Sequence, residues 1–228
     1  MDSNRKLWNK GQSEFRKVLL GYDQLHEAIQ LFMNQHAMLH SAKMVQTEAG
    51  HTLAWSYEDE TLNDMNDEQV RRIPHNCEHS VVWSIWHIAR IEDVTMNMLV
   101  AGDPQILHRD NWLEQMKIAA RDTGNEMDGE GVAKLSATIE IEALRVYRLA
   151  VGRRTREIAA QLQLEQLKQK VEPSRLQQVR EEGAVVEAAD YIVKYWGRRD
   201  IAGLLLMPPT RHSFLHLNEA MRIKHRRQ

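Results

Sequence analysis

Cysteine is almost absent from this sequence: Cys77 is the only one in 228 residues. A single thiol excludes an internal disulfide framework and the cysteine-rich zinc modules, and it fits a reducing compartment. Prolines are also few, at five, which leaves room for long helices. No apolar run approaches the ~20 residues that span a bilayer; "LLLM" is typical of the longest. The N-terminal "MDSNRKLWNKGQSEF" lacks the apolar stretch of a secretory signal, so a cytoplasmic protein with no membrane association is expected. Charge of one sign is missing too. A formal net charge of −2 gives no global attraction to nucleic acid or acidic membranes.

Several catalytic signatures are absent as well. The chain has no Gly-x-x-x-x-Gly-Lys-Ser/Thr phosphate loop, no His-Glu-x-x-His and no Gly-x-Ser-x-Gly turn. A di-iron carboxylate bundle needs Glu-x-x-His on two helices, and the pattern occurs once, at Glu48 to His51. The basic runs "GRRTRE" and "RIKHRRQ" have no aromatics interleaved for stacking, so they read as solvated helix faces and no nucleic-acid partner is expected.

What is present is helical periodicity. Phe15, Val18, Leu19, Tyr22, Leu25, Ile29, Phe32 and Met33 mark an apolar stripe, which predicts one long helix from about Gln12 to Met44. A polar connection follows, with a short helical turn near Asn66 to Arg72. The second helix, about Glu78 to Val100, contains "HSVVWSIWHIARIEDVTMNMLV"; it is apolar nearly all round, the mark of a central helix buried on most sides. A short helix is expected over Asn111 to Ala120, then the glycine-rich loop "RDTGNEMDGEG". A third long helix is expected from about Val132 to Val171, broken by Pro173. A fourth runs from about Gly183 to Trp196 with Gly197 as its cap. The last begins near Pro209, because proline is tolerated in a first turn. These elements predict an all-α fold: a four-helix bundle with short additional helices, in a single domain over residues 1–228.

The chemistry-bearing residues are histidines. Residues i and i+4 share a helix face with Cβ atoms roughly 6 Å apart, so two imidazoles at that spacing can converge on one ion. Three pairs qualify: His36/His40, His75/His79 and His212/His216. His212 and His216 lie beside a core-facing stripe of Phe214, Leu217 and Met221, with Glu219 on their own face. They are either metal ligands or a polar pair near a helix N-terminus. His87, mid-helix in "WSIWHIARIED", is the best third ligand; the alternative is a core histidine hydrogen-bonded to another helix. His36 and His40 continue the stripe of the first helix and either face the same interior or, the favoured reading, cover the end of that helix. His75 and His79, around Cys77 in "PHNCEHS", sit near a helix start, where polar side chains ordinarily satisfy free N–H groups. Glu219 is the candidate catalytic residue, as a carboxylate behind His216 or a proton acceptor, against the alternative of a surface pair with Arg222.

In order along the chain, "SVVWSIWHIARIED", "RDTGNEM", "YRLAVGRRTREI" and "TRHSFLHLNEAMRIK" resemble the DinB/YfiT-like metalloenzyme superfamily, closest to its DinB-like branch. The resemblance covers most of the chain. It implies a four-helix bundle holding a divalent metal by one histidine of the second helix and a His-x-x-x-His of the last. By motif position these fall on His87, His212 and His216. It further implies an ion such as zinc, nickel or iron, and often a homodimer. It implies a small-molecule substrate such as a low-molecular-weight thiol, in a transferase, isomerase or hydrolase reaction. The reading from another class is a non-catalytic metal-binding or interaction module on the same bundle.

Overall fold

The computed structural model describes residues 3–45 and 55–226. The described residues form helices and connecting turns with no strand, so the fold is all-α, as expected. The Glu48–His51 pair lies outside the described residues.

The expected first long helix is two helices. Helix α1 spans Ser3–Leu19 and α2 spans Leu25–Ala37. The chain turns between them at Gly21 and Tyr22, the latter in the left-handed region at φ 55°. The two then pack on each other: Phe15 meets Phe32 at a ring separation of 5.9 Å, and Trp8 donates to the Gln35 carbonyl. An apolar stripe that continues across the turn serves both arms of this hairpin. That is why periodicity alone read it as one rod.

Two short helices follow, α3 (Tyr57–Leu62) and α4 (Asp67–Arg71), the second started by a capping box of Asn66 and Gln69. Helix α5 (Val81–Asp93) is the central element, buried at every position and capped by Ser80, whose hydroxyl accepts from the Trp83 N–H. Its wider π-helical continuation, Val94–Ala101, ends at Gly102 in the left-handed conformation. Helix α5 packs against α8 (Ile141–Gln161) on one side and α12 (Ser213–His225) on another. A four-residue helix, α6 (Trp112–Gln115), and α7 (Gly129–Thr138) intervene.

The third expected helix is also divided. Ile139 adopts ψ 134° and separates α7 from α8, which ends at Gln161, well before Pro173. Pro173 instead opens α9 (Pro173–Glu181) at its first turn, where the missing N–H is harmless. The expected fourth helix is shorter: a 3₁₀ turn at Glu187–Ala189 precedes α10 (Asp190–Gly197), so Gly197 is its last residue rather than a residue beyond it.

The last helix does not start at Pro209. Helix α11 (Ile201–Leu206) runs through a π segment, Met207–His212, into α12 without a break. Pro208 and Pro209 cannot donate to the ladder, and the wider π register accommodates them. Thr210 fills part of the gap, its hydroxyl lying within bonding distance of the Leu205 and Leu206 carbonyls.

Two apolar clusters meet along α5. One gathers Trp8, Trp86, Trp112, Tyr147 and Phe214 around its first half; the other gathers Phe15, Phe32, Leu99, Trp196 and Leu204 around its π continuation. No helix of the described residues is long and apolar enough to cross a membrane.

Candidate metal centre

The three histidines singled out by position meet. His87 comes from the middle of α5, His212 from the end of the π segment and His216 from the first turn of α12. One ring nitrogen from each lies within 4.8 Å of the others. His87 Nε2 is 3.3 Å from His212 Nε2, and the His87 and His216 ring centres are 4.7 Å apart. Two nitrogens each ~2.05 Å from a tetrahedral ion are themselves roughly 3.3 Å apart. His87 is buried, while His212 and His216 are partly so, and the cluster therefore has an inner and an outer side.

The protonation states suit a cation. Burial, reinforced by the neighbouring His216, pushes the His87 imidazole down to about 3. Burial likewise carries His212 well below the ordinary histidine range, with His87 and His216 adding to the effect. Neutral rings present lone pairs. Which nitrogen of His87 presents it is determined by the backbone: Nδ1 donates to the Thr123 carbonyl at 2.6 Å, so Nε2 is left bare and aimed at His212.

That carbonyl is itself held in place, which explains the "RDTGN" sequence. Arg90, one turn beyond His87 on α5, donates to the carbonyls of Arg121 and Asp122 at 2.7 and 3.4 Å. Asp122 accepts from the Gly124 N–H at 2.7 Å and closes a tight turn. Gly124 has φ +81°, and a Cβ there would sit 2.5 Å from the Trp86 ring, so only glycine fits. Arg90 in turn is anchored by Asp93 at 3.0 Å and by the Tyr147 hydroxyl at 2.7 Å. The carboxylate of Asp93 also receives the N–H groups of Ile106 and Leu107. A polar network, fully buried at Arg90, Asp93 and Tyr147, thus runs from α5 to the loop that orients His87.

Glu219 stands beside His216, one turn further along α12. Its Oε2 is 3.2 Å from His216 Nδ1, close enough for an ion pair although off-line for a hydrogen bond. The alternative pairing with Arg222 does not form; Arg222 bonds to the Asn218 carbonyl. The other oxygen of Glu219 meets His79 Nδ1 at 3.3 Å. These two ring nitrogens, His216 first, hold the Glu219 carboxyl well below the usual carboxylate range.

His79 is the residue that sequence reasoning missed. The expectation that it caps a helix start fails because Ser80 does that work. Instead its ring stacks on Trp83 at 3.8 Å, and Trp83 stacks on His87 at 4.8 Å. His79 therefore touches the site twice, through an aromatic stack and through Glu219. The contact with Glu219 bridges 140 positions of sequence, and no local pattern announces it.

His36 and His40 also depart from expectation. His36 sits in the last turn of α2 and His40 just past it, but rather than covering that end both are completely buried and both face Glu92 of α5. His36 Nε2 lies 2.8 Å from one carboxylate oxygen and His40 Nε2 lies 3.0 Å from the other. His36, His40 and Glu92 form a second group able to hold a metal ion among the described residues. A signal for it was present: Arg90, Glu92 and Asp93 are charged residues inside an otherwise apolar helix, and each such group demands a partner.

The sequence matches the DinB superfamily over residues 51–193, more than half of the chain, and the protein belongs to that superfamily. The matched span includes His87 and the "RDTGN" loop and stops before His212 and His216. A search of curated proteins finds no match to the chain.

Proposed function

We propose that this DinB-superfamily protein is a metal-dependent enzyme whose working site is a mononuclear divalent ion held by His87, His212 and His216. One observation carries the reading: three imidazoles from two separate elements converge within 4.8 Å, one of them locked by Thr123 in the tautomer a ligand needs. Three protein donors with an accessible side suit a catalytic site better than a closed structural one. All-imidazole donors suit zinc, nickel or iron. When bound, such an ion acts as a Lewis acid and lowers the pKa of a coordinated water or thiol.

The chain's own groups supply the rest. Thr123 and the Arg90 network hold the inner ring still. Glu219, ionised and partly exposed, would steady the His216 ring through one oxygen, with His79 on the other; a role as proton acceptor requires that one of these two contacts be released. Trp83 gives the cluster an apolar wall. The substrate this arrangement suits is a small molecule that approaches from the side of His212 and His216 and carries a group of acidic or metal-seeking character. A low-molecular-weight thiol fits, in a transfer, isomerisation or hydrolysis reaction. We assign the protein to the cytoplasm, as a homodimer.

Elemental analysis tests the metal. The purified protein is expected to carry a divalent ion that His87→Ala and His212→Ala each release, with helical circular dichroism retained. Folded wild-type protein whose metal content does not change in either variant, after incubation with zinc, nickel or iron, would remove this reading. A loaded protein that then consumes glutathione-like thiols, or hydrolyses test esters and amides, in a Glu219-dependent manner defines the reaction.

A further inference from the structure

We infer that the buried group formed by His36, His40 and Glu92 is a second metal site, taking a divalent first-row transition ion separate from that of the three-histidine centre.

Geometry is the first support. His36 stands in the last turn of α2, His40 lies three residues beyond that helix, and the carboxylate comes from α5, so the three donors reach one point from a helix end, the turn after it and the central helix. Donors ~2.1 Å from an ion and at right angles are about 3.0 Å apart, and the nitrogen–oxygen separations here are 2.8 and 3.0 Å. Two imidazoles with one carboxylate is a transition-metal donor set; magnesium and calcium prefer oxygen alone.

Charge is the second. Around this point the fully buried ionisable side chains are Arg148, Glu58 and Glu92. Arg148 is answered by Glu58 at 2.6 Å and by the Leu39 carbonyl at 3.0 Å. Arg156, the other cation acting on His36, is partly exposed and donates to the Met33 carbonyl. Among the described residues Glu92 is then a sealed carboxylate faced by the two imidazoles and by no lysine or arginine of its own, and an isolated buried charge is costly. A cation between it and the two rings removes that cost.

The third support is the state of the rings. Neither His36 Nδ1 nor His40 Nδ1 has a hydrogen-bond partner among the described residues, although both are fully buried. Each ring can therefore carry its proton on Nδ1 and turn Nε2 into a ligand without breaking any other bond. Gly152 of α8 lies against His40, where a Cβ would come within 2.8 Å of Nδ1, so the packing has left space for that ring.

This proposal is independent of the three-histidine reading, and the experiment separates them. The variant His87→Ala/His212→Ala, in the full chain, is expressed with zinc, manganese or iron supplied, dialysed against EDTA and analysed for metal. Because all three donors are sealed from solvent, about one ion per chain is expected to survive chelation, and adding His36→Ala is expected to lose it. Anomalous diffraction from wild-type crystals is expected to place a peak within coordinating reach of His36, His40 and Glu92, which keeps the test valid should the triple variant fail to fold. A folded double variant with no ion, together with no anomalous peak at this point in wild type, would overturn the proposal. In that case a proton shared between His36 and Glu92 is the cation that balances the site.

Discussion

His36/His40 and His212/His216 have the same four-residue spacing, and each pair converges with a residue of α5, yet their surroundings are opposite. The first pair meets a carboxylate, in the dry interior between α2, α5 and α8. The second meets a third imidazole, at an edge where His212 and His216 keep partial contact with solvent. Spacing made both pairs possible ligands. What separates them is whether a charge is sealed in beside them and whether anything can reach them. The inner group suits permanence; the outer group suits exchange with a substrate.

The sharpest way to break this comparison is at His87. Replacing it with alanine is expected to abolish binding of the exchangeable ion, a loss of several orders of magnitude in affinity, while the chelator-resistant ion remains; isothermal titration with zinc measures it. Should His87→Ala strip both ions, the two groups are not independent.

Next in size is the stability carried by the inner group. Glu92→Ala removes the anionic partner of two buried rings and is expected to cost about 3–5 kcal/mol. For a chain of this length that is a fall in Tm of roughly 6–20 °C, read by differential scanning calorimetry. Glu219→Gln, by contrast, alters a half-exposed carboxylate and is expected to move Tm by only a degree or two. Equal shifts for the two would erase the distinction between sealed and open.

Acid sharpens the contrast further. His36 and His40 are held down by burial, His40 to about 3 with Arg148 adding to it. Such groups favour folding in their neutral form, since the unfolded chain takes up protons first. Their contribution is therefore complete above the unfolded histidine value of about 6.5 and is lost as pH falls through the lower folded value. Stability of metal-free protein is expected to decline below about pH 6.5, by up to roughly 1.4 kcal/mol per pH unit for each depressed ring. Urea titrations at pH 7, 6 and 5 measure the slope. A flat profile would mean these rings are not buried neutral.

The smallest expected effect is the support behind His216. Glu219→Gln is expected to weaken the exchangeable ion about 10–100-fold, as loss of a carboxylate behind a ligating histidine does. His79→Ala should weaken it less, because it acts only through Glu219 and Trp83. Rapid-equilibrium competition with a colorimetric chelator resolves both.

The convergence of the outer histidines was legible in the sequence, and the reasons are physical. His87 stood out because an imidazole in the most apolar helix needs its nitrogens answered. His212, His216 and Glu219 share one helix face by simple periodicity. Helix ends were less legible. The stripe through Phe15, Leu25 and Phe32 runs on past the turn at Tyr22, since both arms of a hairpin bury the same face. The prolines at 208 and 209 read as a helix start because the π register that absorbs them leaves no mark in composition. His79 and the pairing of His36 and His40 with Glu92 depend on contacts across tens of residues, which spacing cannot reveal. The charged residues of "HIARIED" were the available clue, and they point to the partners a buried helix must find.

The most direct test of the central claim is anomalous diffraction from crystals of the zinc-soaked protein, collected on both sides of the metal edge. The account predicts a peak among the nitrogens of His87, His212 and His216, with the Thr123 carbonyl still bonded to the far side of the His87 ring. Ordered rings at these three positions with no peak between them would contradict it.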